Sequence, residues 1–321
     1  MATATSISVR NLYSAGEPER TPAPLVPAGR DMVWIEGRRF LMGSDLYYPE
    51  ERPKRRVAVE GFWIDRTPVT NADFARFVQA TGYTTLAETV REPAGSMVFV
   101  PTHEPVALDD PEQWWRFVPG ADWRHPSGPG SSIFGRADHP VVHVALADVE
   151  AYCVWAGTVL PSEEEWELAA RGGIAEAEFA WGDVLEPDGR RMANIWQGPD
   201  FPCVREGETW TSTSVVTAYP PNGYGLYDMI GNVWEWTSDW WLLHPLGKAG
   251  DPCCTVKQRA SAAPEDPLHV PRRVVKGGSH LCAANHCRRY RPAARQPHAA
   301  DTPSSHIGFR CAVRRTGPIP R

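Results

Sequence analysis

VKGGSHLCAANHCRRYRPAAR, Val275–Arg295, sets two cysteines, Cys282 and Cys287, behind a Gly277-Gly278-Ser279 turn and ahead of four arginines. A thiol reacts, and binds soft metals, as its thiolate. Cationic side chains just after a cysteine stabilise that anion, so Arg288, Arg289, Arg291 and Arg295 predict a low thiol pKa here. The two glycines allow a tight turn at positive φ, or a close backbone approach to a ligand. The Cys-x4-Cys spacing by itself is not specific. It fits a local disulfide or a buried thiol pair in an Arg-rich surface segment as readily as a reactive site.

Outward from that stretch, the composition sets bounds. The chain has 321 residues, enough for one large domain or two ordinary ones, and 42% hydrophobic content with 14 Trp supplies a core. The 31 Pro and 27 Gly are widely spread, which predicts many turns and little long regular structure. A net charge of −6 argues against general nucleic-acid binding, and no stretch approaches the length of a membrane helix. The first residues, MATATSISVRNLYSAGEPER, lack the apolar segment of a secretory signal. Residues 1–29 read as a polar, disordered tail and 317–321 as a short C-terminal one, with one folded domain at 30–316. A reducing cytoplasm is then the expected compartment, and the seven Cys are expected mostly as thiols.

Along the chain, Met32–Gly43 alternates and ends in a Met42-Gly43-Ser44 turn, which predicts a hairpin, and VAVEGFWI, Val57–Ile64, a further strand. Thr70 caps an expected helix from Asn71 to about Ala80, with Phe74, Phe77 and Val78 on one face and Gly82 as its stop. Thr84–Pro140 shows no sustained period and reads as long loops pinned by Trp114, Trp115 and Trp123. A second helix is expected from about Ala147 to Ala156, stopped by Gly157. A third starts at Ser162 with a capping box to Glu165 and ends at Gly172-Gly173. Glu163, Glu164 and Glu165 fall in its first turn, where the helix dipole favours negative charge, so they are not a catalytic carboxylate cluster. Ala249–Pro271, with the adjacent Cys253 and Cys254, reads as an inserted loop.

The order of phrases then carries a resemblance. MGSD, GFWIDRTPVTNADF, GADWRHPSGPGSS, DHPVVHV, LPSEEEWELAARGG, ANIWQG, PPNGYGLYDMIGNVWEWTSDWW, GGSHLCAANHC and IGFRCAV follow one another. From about Asp31 to Arg315 the chain resembles the formylglycine-generating enzymes, or sulfatase-modifying factors. GNVWEW and GFR belong to the whole superfamily and speak to fold; GADWRHPSGPGSS and the two-cysteine stretch are more selective. The resemblance implies a single α/β (α+β) domain of low regular secondary structure, related to C-type lectin-like folds. It also implies aerobic oxidation of a cysteine, within a Cys-x-Pro-x-Arg peptide of an unfolded sulfatase polypeptide, to Cα-formylglycine. Cys282 and Cys287 match the two cysteines that hold copper(I) in the family. Soft thiolates suit that ion, with O2 as co-substrate and a substrate thiolate as a third ligand. Ser279 matches the family's serine near the reacting groups, and Trp234 is a candidate groove wall. Two calcium sites transfer by position. One is Asn194, the Ile195 carbonyl, Glu208 and the Trp210 carbonyl; the other is Asp228, Glu235 and the carbonyls of Gly231 and Val233. Hard oxygen donors of this kind suit Ca2+. Cys153 and Cys311 match a structural disulfide of secreted members, or form a reduced buried pair in a cytoplasmic protein. A monomer that binds neither nucleic acid nor membrane is expected.

Three positions depart from the family: His280, His286 and His306 stand where Tyr, Tyr and Asn are usual. His280, Cys282, His286 and Cys287 are formally a Cys2His2 set, so structural zinc is an alternative, though four ligands within eight residues would be cramped. Two further alternatives are a non-haem iron sulfur oxidase of the same fold, whose His-rich run is not found here, and a catalytically silent lectin-like module.

Overall fold

Met32–Ile35 (β1) and Arg38–Met42 (β2) run one way, and Arg55–Val59 (β3) and Phe62–Asp65 (β4) return beside them. This is a computed structural model, and it describes residues 29–89, 92–206, 212–243 and 254–314. The expected tails, Gly29 apart, lie outside the described residues, as does Cys253. Register is continuous across the break in the ribbon: Met32 faces Asp65, Ile35 faces Phe62, Arg38 faces Val59 and Met42 faces Arg55. The hairpin expected from Met32–Gly43, with its turn at Met42-Gly43-Ser44, forms: both strands there belong to one arm, and the reversal is the 43–54 connection. Between the two strands of that arm, glycine is required at Gly37. A Cβ on Gly37 would lie 2.6 Å from the Gly61 nitrogen, so the two arms touch backbone to backbone at that point.

The expected helices form, each for the reason the sequence supplies. In α1, Asn71–Thr81, the Thr70 side chain accepts from Asp73 N and Asp73 closes the capping box. Gly82 ends it at φ 68, while Phe74 and Phe77 are buried. The Thr84–Pro140 expectation of loops needs correction. Leu86–Thr89 is a short helix (α2), and Gly95–Phe99 (β5) pairs antiparallel with Trp115–Pro119 (β6). Burial of β5 on both faces erases the alternation that would have marked it, and Gly and Pro at its margins mimic a loop. Trp114 and Trp123 are buried anchors, as expected.

Leu146–Ala156 (α3) ends at Gly157, φ 66, and Glu163–Ala170 (α4) starts on the Ser162 capping box. The α4 acids are not a solvated face. Glu163 pairs with Arg295 at 2.7 Å, Glu165 with Arg314 at 2.7 Å, and the fully buried Glu167 with Lys276 at 3.0 Å. A four-stranded sheet follows, in the order Ile307–Gly308 (β10), Trp234–Trp240 (β7), Arg272–Lys276 (β8), Arg295–Ala299 (β9). The last strand, Ala312–Arg314 (β11), returns to pair with β4, so the two ends of the chain close one sheet. Cys254–Ala260 is a helix (α5), which corrects the expectation that Ala249–Pro271 is all loop. Cys153 of α3 and Cys311 face each other as buried thiols, with their sulfurs 3.9 Å apart. No helix among the described residues is long and apolar enough to cross a membrane. The result is one α+β domain in which β7 and β8 lead directly into the cysteine stretch.

Candidate active site

Strand β8 delivers the chain to Gly277 and Gly278, both at positive φ (94° and 75°). Side chains are excluded there: a Cβ on Gly277 would sit 2.9 Å from the Trp166 ring, and one on Gly278 2.8 Å from the Arg289 carbonyl oxygen. The turn that follows is held by Cys282 N donating to Ser279 O at 2.9 Å, and by Cys287 N donating to Ala283 O at 3.0 Å. Ser279 is fully buried; its backbone N–H points at the Cys282 sulfur from 3.4 Å, and its hydroxyl oxygen accepts from Leu281 N.

These turns bring the Cys282 and Cys287 sulfurs to 3.3 Å, a hydrogen-bonding separation between thiols rather than a bond of about 2 Å. The two differ in setting. Cys282 is 1% exposed, while Cys287 is half-buried and reachable. Burial, with the hydrogen bond to Cys287, pushes the Cys282 thiol well above its usual range. The same hydrogen bond, received by Cys287, lowers its pKa to about 6 against the opposing effect of burial, with Arg289 assisting. Burial and the shared hydrogen bond therefore favour the charge on Cys287 over Cys282. The expected low pKa holds for one thiol and not the other. Of the four arginines, Arg289 approaches a sulfur, its Nη1 lying 3.8 Å from Cys287. Arg288, Arg291 and Arg295 turn instead to Glu178, Glu51 and Glu163.

The three histidines do not join the thiols. The His280 Nδ1 lies 2.7 Å from the Asn232 carbonyl, His286 stacks on Phe201 at 4.6 Å between ring centres, and His306 stands edge-on to Trp115 at 4.7 Å. No group of three or more His, Cys, Asp or Glu able to hold a metal occurs among the described residues. The Cys2His2 zinc set is thus not assembled, because stacking and a backbone contact hold both imidazoles elsewhere. Trp234 is 2% exposed and belongs to the same large buried cluster as Cys282, so it lies in the core. A cavity of about 280 Å³ adjoins the outer side of the cysteine loop, lined by Ala284, Asn285, Tyr290, Ile195, Trp196 and Met192.

The calcium candidates gather nearby. Asn194 is fully buried; its Nδ2 donates to Ser212 O at 2.8 Å, and its Oδ1 has no partner among the described residues. Asn194 and Ile195 lead into the cavity wall, while Glu208 and Trp210 lie outside the described residues. Gly231, at φ 80, packs so closely that a Cβ would lie 2.5 Å from the Asn194 carbonyl oxygen. Val233 is buried in the turn that enters β7. Burial drives the Asp228 carboxyl up to about 7, even though Asn232 Nδ2 donates to it at 2.8 Å. Glu235 is already satisfied: Arg310 grips both its oxygens, at 2.7 and 2.8 Å, and the Trp166 indole donates at 2.6 Å. Asn232, overlooked in the sequence, joins the two candidate sets. It sits at φ 59, accepts from Ser214 N at 2.9 Å and takes Asn194 Nδ2 at 3.4 Å. Its signal was the Gly-Asn pair, both types that tolerate positive φ.

A family model described as sulfatase-modifying factor enzyme 1-like domain matches residues 17–315. The formylglycine-generating enzyme of Mycobacterium tuberculosis is 50% identical over 297 residues, 88% of this chain and 97% of that protein. The inactive C-alpha-formylglycine-generating enzyme 2 of Mus musculus is 40% identical over 296 residues, 88% of this chain and 85% of that one. Among solved structures, PvdO from Pseudomonas aeruginosa superposes with a TM-score of 0.57 at 24% identity, over 88% of this chain and 94% of that one. That last likeness is one of fold alone.

Proposed function

Because the chain belongs to the sulfatase-modifying factor enzyme 1-like family, we propose that it converts a cysteine of a sulfatase polypeptide, in a Cys-x-Pro-x-Arg segment, to Cα-formylglycine, using copper(I) and O2. The observation that carries this reading is the thiol pair: sulfurs 3.3 Å apart, one sealed in the core and one partly exposed, in a loop whose Ala284 and Asn285 line an open cavity. Two soft donors with no third ligand assembled around them among the described residues fit Cu(I), which tolerates low coordination and leaves room for a guest thiol. When bound there by Cys282 and Cys287, copper would supply the redox chemistry with O2.

The protein's own part is separable from the metal's. Cys287 is held as an anion near neutral pH, ready to bind without first losing a proton, and Cys282 holds the hydrogen that orients the pair. Buried Ser279 fixes the turn through its backbone, and Trp234 keeps water from the inner side. The cavity beside Ala284 and Asn285 accommodates the peptide flanking the reacting cysteine. In the overall change, the substrate CH2–SH becomes an aldehyde and its sulfur leaves as sulfide, while O2 takes up four electrons, two from the substrate and two from a thiol reductant that becomes a disulfide, with a net release of one water. Calcium is a proposed structural ion: in the first set Asn194 Oδ1, without a partner among the described residues, is an acceptor of the kind it requires. In the second set Asp228 adds a carboxylate, while Glu235 would have to share its oxygens with Arg310.

The test is incubation of the full chain with a Cys-x-Pro-x-Arg peptide, copper(I), O2 and a thiol reductant, read by mass spectrometry and hydrazide capture. Aldehyde should form with the wild type and not with Cys282→Ala or Cys287→Ala. Copper and peptide binding with no aldehyde would overturn the reading and place the chain with the inactive relatives.

A further inference from the structure

The 43–54 connection, far from the cysteines in sequence, grips the segment that follows them. The Tyr48 hydroxyl accepts from Arg288 N at 3.1 Å, and its ring lies 3.8 Å beneath the Arg289 guanidinium. Glu50 Oε1 accepts from Arg289 Nη2 at 2.7 Å and Nε at 3.3 Å, while the Glu50 carbonyl accepts from Arg295 at 3.1 Å. One face and one edge of the Arg289 guanidinium are thereby fixed, and the remaining Nη1 is aimed at the Cys287 sulfur, 3.8 Å away. A free arginine side chain would lose considerable rotamer entropy to hold that pose; here the ion pair and the stack have already removed the freedom. The neighbouring contact is different in kind. Glu51 grips Arg291 at 2.6 and 2.8 Å in the interior, and neither contact reaches a sulfur.

We propose that Glu50 and Tyr48 are positioning residues for Cys287, acting through Arg289 to fix the direction in which its sulfur is offered to a soft metal and a guest thiol. The inference rests on the copper reading above. It adds a brace from the N-terminal ribbon that the cysteine motif does not contain. Groups that orient a metal ligand from behind commonly matter by 10- to 100-fold in metal affinity.

The experiment is anaerobic titration of the full-length chain with Cu(I) against a chromophoric chelator, with thermal melts run in parallel. Glu50→Gln is expected to weaken Cu(I) binding by about tenfold. Glu50→Asp should recover part of the loss, and Tyr48→Leu should weaken binding in the same sense. Glu51→Gln, which breaks the adjacent ion pair, is expected to lower the melting temperature while leaving Cu(I) affinity within about twofold. The inference is overturned if Glu50→Gln binds Cu(I) like the wild type, or if Glu51→Gln weakens binding as much as Glu50→Gln, since the connection would then be a general support. A wild type that binds no Cu(I) would sink the copper reading and this inference together, and that result is distinct from the other two.

Discussion

At the scale of single residues, the interior is organised by charges that the sequence shows but does not pair. Glu235 and Arg310 are both fully buried, and Arg310 also donates to the carbonyls of Asp65 and Tyr227. Removing one partner of such a pair leaves an uncompensated charge, at a cost of about 3–5 kcal/mol. Arg310→Met should therefore lower the unfolding free energy by roughly that amount in urea titrations, and adding Glu235→Gln to the same chain should restore part of it. A loss below about 1 kcal/mol for Arg310→Met would mean that the carboxylate finds water or its proton instead. The candidate site shows the same limit on reading. Cys282, Cys287 and Ser279 were legible because a motif places them within nine residues of one another. That Arg289 alone of the arginines meets a sulfur was not, since Glu50, Glu51, Glu163 and Glu178 select among four adjacent cations through space.

At the scale of elements, caps and stops are legible in the sequence because they are local: Thr70, Ser162, Gly82 and Gly157 each act within one turn of where they stand. Strand pairing depends on partners elsewhere. The β5–β6 pair is hidden by its burial, whereas the N-terminal ribbon shows its alternation and its turn in the sequence. The close approach of that ribbon's two arms makes a prediction about two glycines. A methyl group at Gly37 meets backbone, the Gly61 nitrogen at 2.6 Å and the Val59 oxygen at 3.0 Å, which cannot yield without parting the arms. At Gly61 it meets the Trp34 ring at 2.3 Å, a partly exposed side chain that can swing away. Gly37→Ala should cost about 1–3 kcal/mol and Gly61→Ala clearly less, measured by chemical denaturation. The reverse order would show that the indole, not the backbone crossing, is the fixed object.

At the scale of the whole molecule, buried imidazoles join segments that are far apart in the chain and set its response to acid. His143 is fully buried at φ 61; its Nδ1 lies 2.7 Å from the Ser96 hydroxyl, its Nε2 2.9 Å from the Pro126 carbonyl, and its N–H donates to Ser304 O. Burial pushes its pKa down to about 4, and burial does the same to His280. The folded value lies below the unfolded 6.5, so between those limits the unfolded chain takes up a proton that the native state refuses. Stability contributed by such a site is present at neutral pH and is lost as pH falls below about 6.5, by at most about 1.4 kcal/mol per pH unit. Asp228 has the opposite sign. Its folded carboxyl is raised to about 7, so the native state keeps a proton that the unfolded chain has released, and its contribution declines as pH rises from about 4 toward 7. Because the signs oppose, the imidazole is isolated by substitution rather than by the wild-type curve. His143→Asn suits the position, since asparagine tolerates the left-handed backbone there while carrying no titrating group. At about pH 7.5 the variant should be less stable by roughly 1–3 kcal/mol for the lost buried hydrogen bonding. Toward about pH 5 the gap should close, because only the wild type loses stability as its unfolded state takes up a proton at residue 143. Urea midpoints measured across that range decide it: converging curves place the acid sensitivity in His143, and parallel curves remove it.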